Sequence, residues 1–215
     1  MSLRLPAFDP GRKTVSLVVA YAFWCLLYVG SGHLRLRAPV DLPLLAPDRM
    51  PAINWTIWVY LSHLLFVPLA LVGLREPEVF DRTLKSILLA TAASGTCFVL
   101  FPTALPGASS PRSFAFDAVA ATFDLMNTNC FPSLHVALAF LAASAYLEER
   151  RPLAAPAFAW AAAIAVSTVT AKQHYFVDVP GGLLLAWASR EIVRSPAPWP
   201  TPFSEFDSAA NKTGS

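Results

Sequence analysis

Charged residues are scarce in this chain. Asp, Glu, Lys and Arg make up 14% of its 215 residues, whereas hydrophobic types make up 55%. An ordinary soluble domain uses about a quarter charged residues, so the composition excludes that class and indicates an integral membrane protein. The formal net charge of +2 is small and evenly spread, which argues against a nucleic-acid partner.

Closely spaced cysteines are also absent. Cys25, Cys97 and Cys130 lie far apart, and a thiol inside an apolar run behaves as a small hydrophobic group, so we expect no disulfide framework. There is no internal repeat and no loop long enough for a second folded domain. We therefore predict one membrane domain over residues 1–194 and, from the Pro-rich and polar composition that follows, a disordered cytoplasmic tail over residues 195–215.

Long uncharged runs dominate the rest of the sequence. A helix needs roughly 20 mostly apolar residues to cross a bilayer, and the runs that approach this length predict an all-α, polytopic six-helix membrane bundle. They lie near Thr14 to Gly32, Ala52 to Leu74, Ser86 to Pro106, Phe131 to Leu147, Pro152 to Ala171 and Tyr175 to Val193.

The first run is interpreted as a retained anchor rather than a signal peptide, because its nineteen uncharged residues exceed the usual signal core of about 7–15. With six spans both termini share one side of the membrane. The segments on that side hold eleven Lys and Arg residues against five on the other, which predicts cytoplasmic termini. The mouths of the fourth and sixth spans then face the extracytoplasmic side.

The longest connection runs from Pro102 to Cys130, and within it Phe114 to Met126 is predicted to be helical. Asp117 and Asp124 share one face of that helix. Two interpretations stay open: a helix at the membrane surface beside the functional site, or one that merely closes the bundle.

Two histidines and one carboxylate at the mouths of spans are the candidate catalytic residues. His174 and Asp178 are four apart, close enough for the carboxylate to fix the tautomer of the imidazole and leave its other nitrogen as a nucleophile toward phosphorus. His135, one turn into the fourth span, is suited to act as the proton donor and then as the base. Ionisable groups at such depth usually carry function.

Three further residues are candidates for binding a phosphate. Ser133 follows Pro132 at a helix start, where free amides attract anions, and Lys172 and Arg112 are the nearest candidate cations. We expect no cofactor and no metal, although metal ligation by His135, His174 and Asp178 is an alternative. His33 and His63 are interpreted as hydrogen-bonded packing residues.

The sequences Pro132-Ser133-Leu134-His135 and His174 to Asp178 resemble two motifs of the type-2 phosphatidate phosphatase superfamily. The surrounding residues are most similar to the branch that includes the inositol-phosphorylceramide synthases. The resemblance spans roughly Phe101 to Trp187 and implies a six-span fold, with His174 as covalent nucleophile, Asp178 as its partner and His135 as acid and base.

Two departures from the family pattern concern cations. The Arg of the third motif is replaced by Thr168, and the first motif is not present in its usual form. The predicted function is a metal-independent membrane phosphatase that cleaves a lipid phosphate or phospholipid. The alternatives are transfer of a phospho-head group between lipids, and a lipid-binding or transport protein without catalysis.

Overall fold

The computed structural model describes residues 10–34, 36–104 and 129–195. Within these ranges the regular secondary structure is helical, apart from two isolated backbone bridges, Val40 with Thr103 and Thr103 with Asn129. The helices are α1 (Pro10–His33), α2 (Thr56–Leu61), α3 (His63–Gly73), α4 (Pro77–Leu100), α5 (Leu134–Glu148), α6 (Ala154–Thr170) and α7 (Asp178–Arg194), with a 3-10 turn at Ala46–Arg49.

Each of the six predicted runs is occupied by helix, so the prediction of an all-α fold is confirmed at that level. The second run is divided at Ser62 into α2 and α3. The helix in the third run, α4, begins at Pro77 rather than at Ser86. Pro77 suits a helix start because the first helical amide has no intrahelical partner. The segments long and apolar enough to cross a membrane are Lys13–His33, Thr56–Gly73 and Pro77–Leu100, whereas α5 and α6 are shorter apolar helices.

One end of the helices is joined by polar contacts between connections. Lys13 Nζ donates to the carbonyl of Leu74 at 2.8 Å, which ties the start of α1 to the end of α3. The Glu149 carboxylate accepts the backbone N–H groups of Arg75 and Glu76 at 2.7 and 2.8 Å, next to the start of α4. The connections α3–α4 and α5–α6 therefore meet at one end of the bundle.

Glu148, the last residue of α5, lies at the same end. It accepts hydrogen bonds from Arg82 on α4 and from Arg190 and Arg194 on α7. The carboxylate is partly accessible, so each pair contributes on the order of 1 kcal/mol or less. The geometric effect matters more, because one carboxylate fixes the ends of three helices.

The opposite end carries the starts of α5 and α7. The Asn129 amide donates to the Tyr28 carbonyl at 2.8 Å and to Ser31 Oγ at 3.2 Å, and so links the segment before α5 to α1. Lys172, just before α7, donates to the Asp48 carbonyl at 2.8 Å. His135 and Glu148 therefore mark opposite ends of α5.

Helix α5 is the core of the bundle, packed against α3, α4, α6 and α7. Its alanines at positions 137, 139 and 143 are fully buried, and Leu141 is nearly so. Small side chains let neighbouring helices approach closely, and close packing is what holds helices together in a bilayer. A helix this buried is a rigid support for a side chain at its first turn.

The tightest approach is between the first turns of α5 and α7. A Cβ added at Gly182 would overlap the Ser133 carbonyl and come within 3.0 Å of the Val136 Cβ. The Ser133 N–H donates to the Asp178 carbonyl at 3.2 Å across the same contact. Gly182 is thus required by space, and the two helix starts lie side by side.

Some sequence predictions concern other parts of the chain. The helix expected over Phe114 to Met126 lies outside the described residues, and so does the tail predicted to be disordered, except for Ser195.

Replacing Gly182 with alanine is expected to destabilise the protein by about 1–3 kcal/mol, because the added methyl group overlaps backbone that cannot move without separating α5 from α7. Thermal unfolding in detergent measures the effect. The matched control is Gly30→Ala on α1, where an added Cβ meets nothing within 4 Å. A Gly182→Ala protein as stable as the Gly30→Ala protein would contradict the close packing of these helices.

Candidate active site

The turn between α6 and α7 brings the second histidine into place. The N–H of Gln173 donates to the Thr168 carbonyl and that of Lys172 to the Val169 carbonyl, the two bonds of a Schellman helix end. Lys172 occupies the left-handed position of this motif with φ 57°, a conformation that glycine usually supplies. The His174 N–H also donates to the Thr168 carbonyl, which fixes this residue directly after the turn.

His174 and Asp178 are in contact, as their four-residue spacing predicts. His174 precedes α7, and Asp178 is its first residue. Asp178 Oδ2 lies 3.2 Å from His174 Nδ1 and accepts the Tyr175 N–H at 2.8 Å. With Asp178 ionised, His174 Nδ1 carries the proton and Nε2 keeps its lone pair. The helix start favours the negative charge of Asp178.

His135 approaches from the neighbouring helix start. Ser133 is the N-cap of α5, where its hydroxyl accepts the Val136 N–H at 3.4 Å, and His135 lies in the first turn. His135 Nδ1 is 3.3 Å from His174 Nε2. The exposed fractions of His135, His174 and Asp178 are 6%, 2% and 0%. The structure therefore joins Asp178, His174 and His135 in one buried chain of hydrogen bonds.

The two imidazoles meet directly rather than across a gap. If His174 Nε2 holds a lone pair, His135 Nδ1 donates its proton to that nitrogen. A phosphorus atom with its oxygens cannot fit between nitrogens at hydrogen-bonding distance. A phosphoryl group could therefore reach Nε2 only if the His135 ring moved aside.

The predicted phosphate-binding residues differ in their placement. Ser133 adjoins the histidines and is fully buried. Lys172 is 7% exposed, and its ammonium group donates to the backbone of Asp48. Burial lowers the pKa of Lys172, while the nearby Asp48 carboxylate acts in the opposite direction. Arg112 lies outside the described residues. Thr168, at the position of the family Arg, is buried and its hydroxyl donates to the Ala165 carbonyl, so it supplies no cation.

Sequence reasoning missed three neighbours of the histidines. The rings of Tyr60 and His63 lie 4.4 and 4.2 Å from the His135 ring, centroid to centroid. The sequence predicts that His63 is a hydrogen-bonded packing residue. Its ring interacts with the backbone of Tyr60, while its buried Nδ1 has no hydrogen-bond partner of good geometry among the described residues. The position of His63 inside an apolar run is the sequence feature that indicates a functional role, because ionisable groups within membrane spans usually carry function.

Cys130 is the third neighbour. With His174 and Asp178 it forms the one group found among the described residues that could hold a metal ion. A ligand atom from each of Cys130, His174 and Asp178 lies within 4.8 Å of the others. Thiolate, imidazole and carboxylate groups are typical zinc ligands. Asp178 Oδ2 already accepts two hydrogen bonds, one of them from His174 Nδ1, and His174 Nε2 is in contact with His135. Asp178 Oδ1 has no hydrogen-bond partner among the described residues, so an ion bound there and at His174 Nε2 would have to displace His135.

The comparisons with known proteins identify a family. A family model described as the PAP2 superfamily matches residues 33–192, which include both histidine motifs and the helices from α2 to most of α7. Searches of curated proteins and of solved structures give no significant match. Because the family model covers well over half of the sequence, the chain belongs to the PAP2 superfamily, whose members are generally phosphatases and phosphotransferases.

Proposed function

We propose that this protein is a membrane lipid phosphatase that works without a metal ion and forms a covalent intermediate on His174. The observation that carries the proposal is the buried sequence of contacts from Asp178 to His174 Nδ1 at 3.2 Å and from His174 Nε2 to His135 at 3.3 Å. One carboxylate orients the nucleophile, and the second imidazole lies where protons must be moved.

In the first step the lone pair on His174 Nε2 attacks phosphorus. A P–N bond forms while the bond from phosphorus to the lipid oxygen breaks. His135 must enter this step as an imidazolium with a proton on each ring nitrogen, and it donates one of these protons to the departing alkoxide. Asp178 stabilises the positive charge that develops on the His174 ring, since its carboxylate is in contact with Nδ1. The amides at the start of α5, beside Ser133, are suited to the charge on the phosphoryl oxygens.

In the second step His135, now neutral, removes a proton from water. The oxygen of that water attacks phosphorus, the P–N bond breaks, and the electron pair returns to His174 Nε2. Phosphate leaves and both imidazoles regain their starting protonation. The two steps thus use His135 first as an acid and then as a base.

Transfer to a second lipid is the alternative outcome of the same chemistry, as in the inositol-phosphorylceramide synthase branch. The burial of the histidines favours transfer, because a lipid hydroxyl can approach from the bilayer where water is scarce. Thr168 at the place of the family Arg is a second feature that favours it. His135 would deprotonate the alcohol as it does water. A lipid-binding protein without catalysis is the third hypothesis, and the first experiment below distinguishes it.

The proposed orientation places the histidines on the extracytoplasmic side with both termini in the cytoplasm. Its support is the grouping of cations: Lys13, Arg82, Arg151, Arg190 and Arg194 contact residues at the end of the bundle opposite His135. Lys and Arg near span ends are concentrated on the cytoplasmic side.

Replacing His174 with alanine is expected to abolish activity, whereas Asp178→Asn should lower kcat by about 10²- to 10⁴-fold because the imidazole loses its orienting carboxylate. The assay uses a lipid whose phosphate is radiolabelled, and it measures free phosphate and new labelled lipid together, with phosphatidate, phosphatidylinositol and ceramide present. Free phosphate indicates hydrolysis and new lipid indicates transfer.

The same samples test for the intermediate. A P–N bond survives alkali and breaks in acid, so alkaline quenching should leave label on the normal protein and on Asp178→Asn, but none on His174→Ala. Unchanged lipid in every sample would favour the binding protein, and label retained on His174→Ala would place the nucleophile elsewhere.

Chelation of divalent metals is expected to leave activity within about twofold, because the proposed nucleophile is an imidazole oriented by a carboxylate and neither proposed step needs a metal ion. The measurement compares initial rates after dialysis against a chelator with rates after addition of Zn²⁺ or Mg²⁺. The grouping of Cys130, His174 and Asp178 supplies the control, since Cys130→Ser would weaken a zinc site and should leave this reaction intact. A strict requirement for added metal would reject the mechanism.

Lys172→Gly tests the role of the ammonium group separately from the backbone conformation at this position. Glycine accepts the positive φ of this position, so the turn before His174 should be preserved while the ammonium group is lost. If Lys172 binds the phosphate, KM should rise by about tenfold or more, the worth of one charge-assisted hydrogen bond. Lys172→Arg keeps the charge and is the control. An unchanged KM in Lys172→Gly would assign Lys172 to holding Asp48 alone.

A further inference from the structure

His63 lies behind His135 in the buried site. The two rings are 4.2 Å apart, centroid to centroid, and meet edge to face at 64°. His63 comes from the first turn of α3 and is 5% exposed. Its ring interacts with the backbone of Tyr60, but its buried Nδ1 has no hydrogen-bond partner of good geometry among the described residues. A buried polar atom left without a partner is costly, so it calls for an explanation beyond packing.

The ring of His135 lacks the kind of support that His174 has. Asp178 holds one nitrogen of His174 and leaves the other for chemistry. For His135 the hydrogen bond found among the described residues is the one to His174. That bond must break when a phosphoryl group occupies Nε2 of His174. At that moment an acid that must donate to a leaving oxygen needs a partner for its second nitrogen.

We infer that His63 is a positioning residue for His135, and that it accepts the hydrogen bond from the second nitrogen of His135 once substrate has separated His135 from His174. The inference rests on the proposed function. His63 then acts on His135 as Asp178 acts on His174. It keeps the proton on the second nitrogen and holds the ring so that the N–H of the first nitrogen is aimed at the leaving oxygen.

The surroundings of His63 are suited to this role. The preceding residue, Ser62, accepts a hydrogen bond from Trp160 Nε1 at 2.9 Å, which anchors this part of the chain to α6. On its outer side His63 borders an apolar cavity of about 310 Å³ between α1, α3, α4 and α5. The backbone is thus held in place while the ring has free space on one side in which to turn.

The test uses two substrates that share a dodecyl chain and differ in the leaving group. The leaving group of dodecyl phosphate is an alkoxide, which needs a proton. The leaving group of a dodecyl-substituted nitrophenyl phosphate is a stable phenolate, which does not. The quantity compared is kcat/KM, since it covers the steps only as far as departure of the leaving group. Phenylalanine at position 63 preserves a flat ring and removes both nitrogens, and glutamine preserves a hydrogen-bond acceptor.

We expect His63→Phe to lower kcat/KM by about 10- to 100-fold for dodecyl phosphate and by less than about threefold for the nitrophenyl ester, because only the first needs general acid catalysis. His63→Gln should recover part of the loss on dodecyl phosphate. Thermal unfolding of both variants in detergent establishes that they are folded.

Equal losses on the two substrates, or no loss on either, would assign His63 to packing and overturn the inference while leaving the proposed function intact. If His63→Phe does not fold, the comparison is made with His63→Gln, for which equal losses have the same meaning. Failure of the unaltered protein to cleave either ester would overturn the proposed function and this inference with it.

Discussion

The buried carboxylate of Asp178 is the group on which the site depends. A fully buried charge is tolerated only when hydrogen bonds and opposite charge compensate it. Here the Tyr175 N–H and His174 Nδ1 compensate Oδ2 and the start of α7 favours the charge, whereas Oδ1 has no hydrogen-bond partner among the described residues. These contacts also fix His174, so the same hydrogen bonds that make the charge tolerable orient the imidazole that we propose as the nucleophile.

The packing of α5 against α7 extends this arrangement to the second histidine. Asp178 is the first residue of α7 and Ser133 caps α5, and a backbone hydrogen bond joins them. Gly182 permits the approach because no side chain stands between the helices. At the far end of α5, Glu148 accepts hydrogen bonds from three arginines on α4 and α7. The helices are therefore fixed relative to each other at both ends, which holds His135 against His174.

Several features were predictable from the sequence, for local reasons. Uncharged runs of membrane-crossing length located the helices, because a helix satisfies its own backbone groups in lipid. The four-residue spacing of His174 and Asp178 indicated their contact, which forms across the turn that leads into α7. The left-handed conformation of Lys172 was not predictable in this way, since glycine or asparagine is the usual signal for that conformation.

The sequence by itself determined the membrane class, the approximate helices and the candidate residues His135, His174 and Asp178, because these follow from composition and from residues close together along the chain. Only the tertiary structure decided that the imidazoles of His135 and His174, 39 residues apart, touch at 3.3 Å. It also brought His63 and Tyr60 against His135 from a different helical segment. Such proximity depends on how helices pack, and helix packing is set by side-chain shape over the whole bundle rather than by any local pattern.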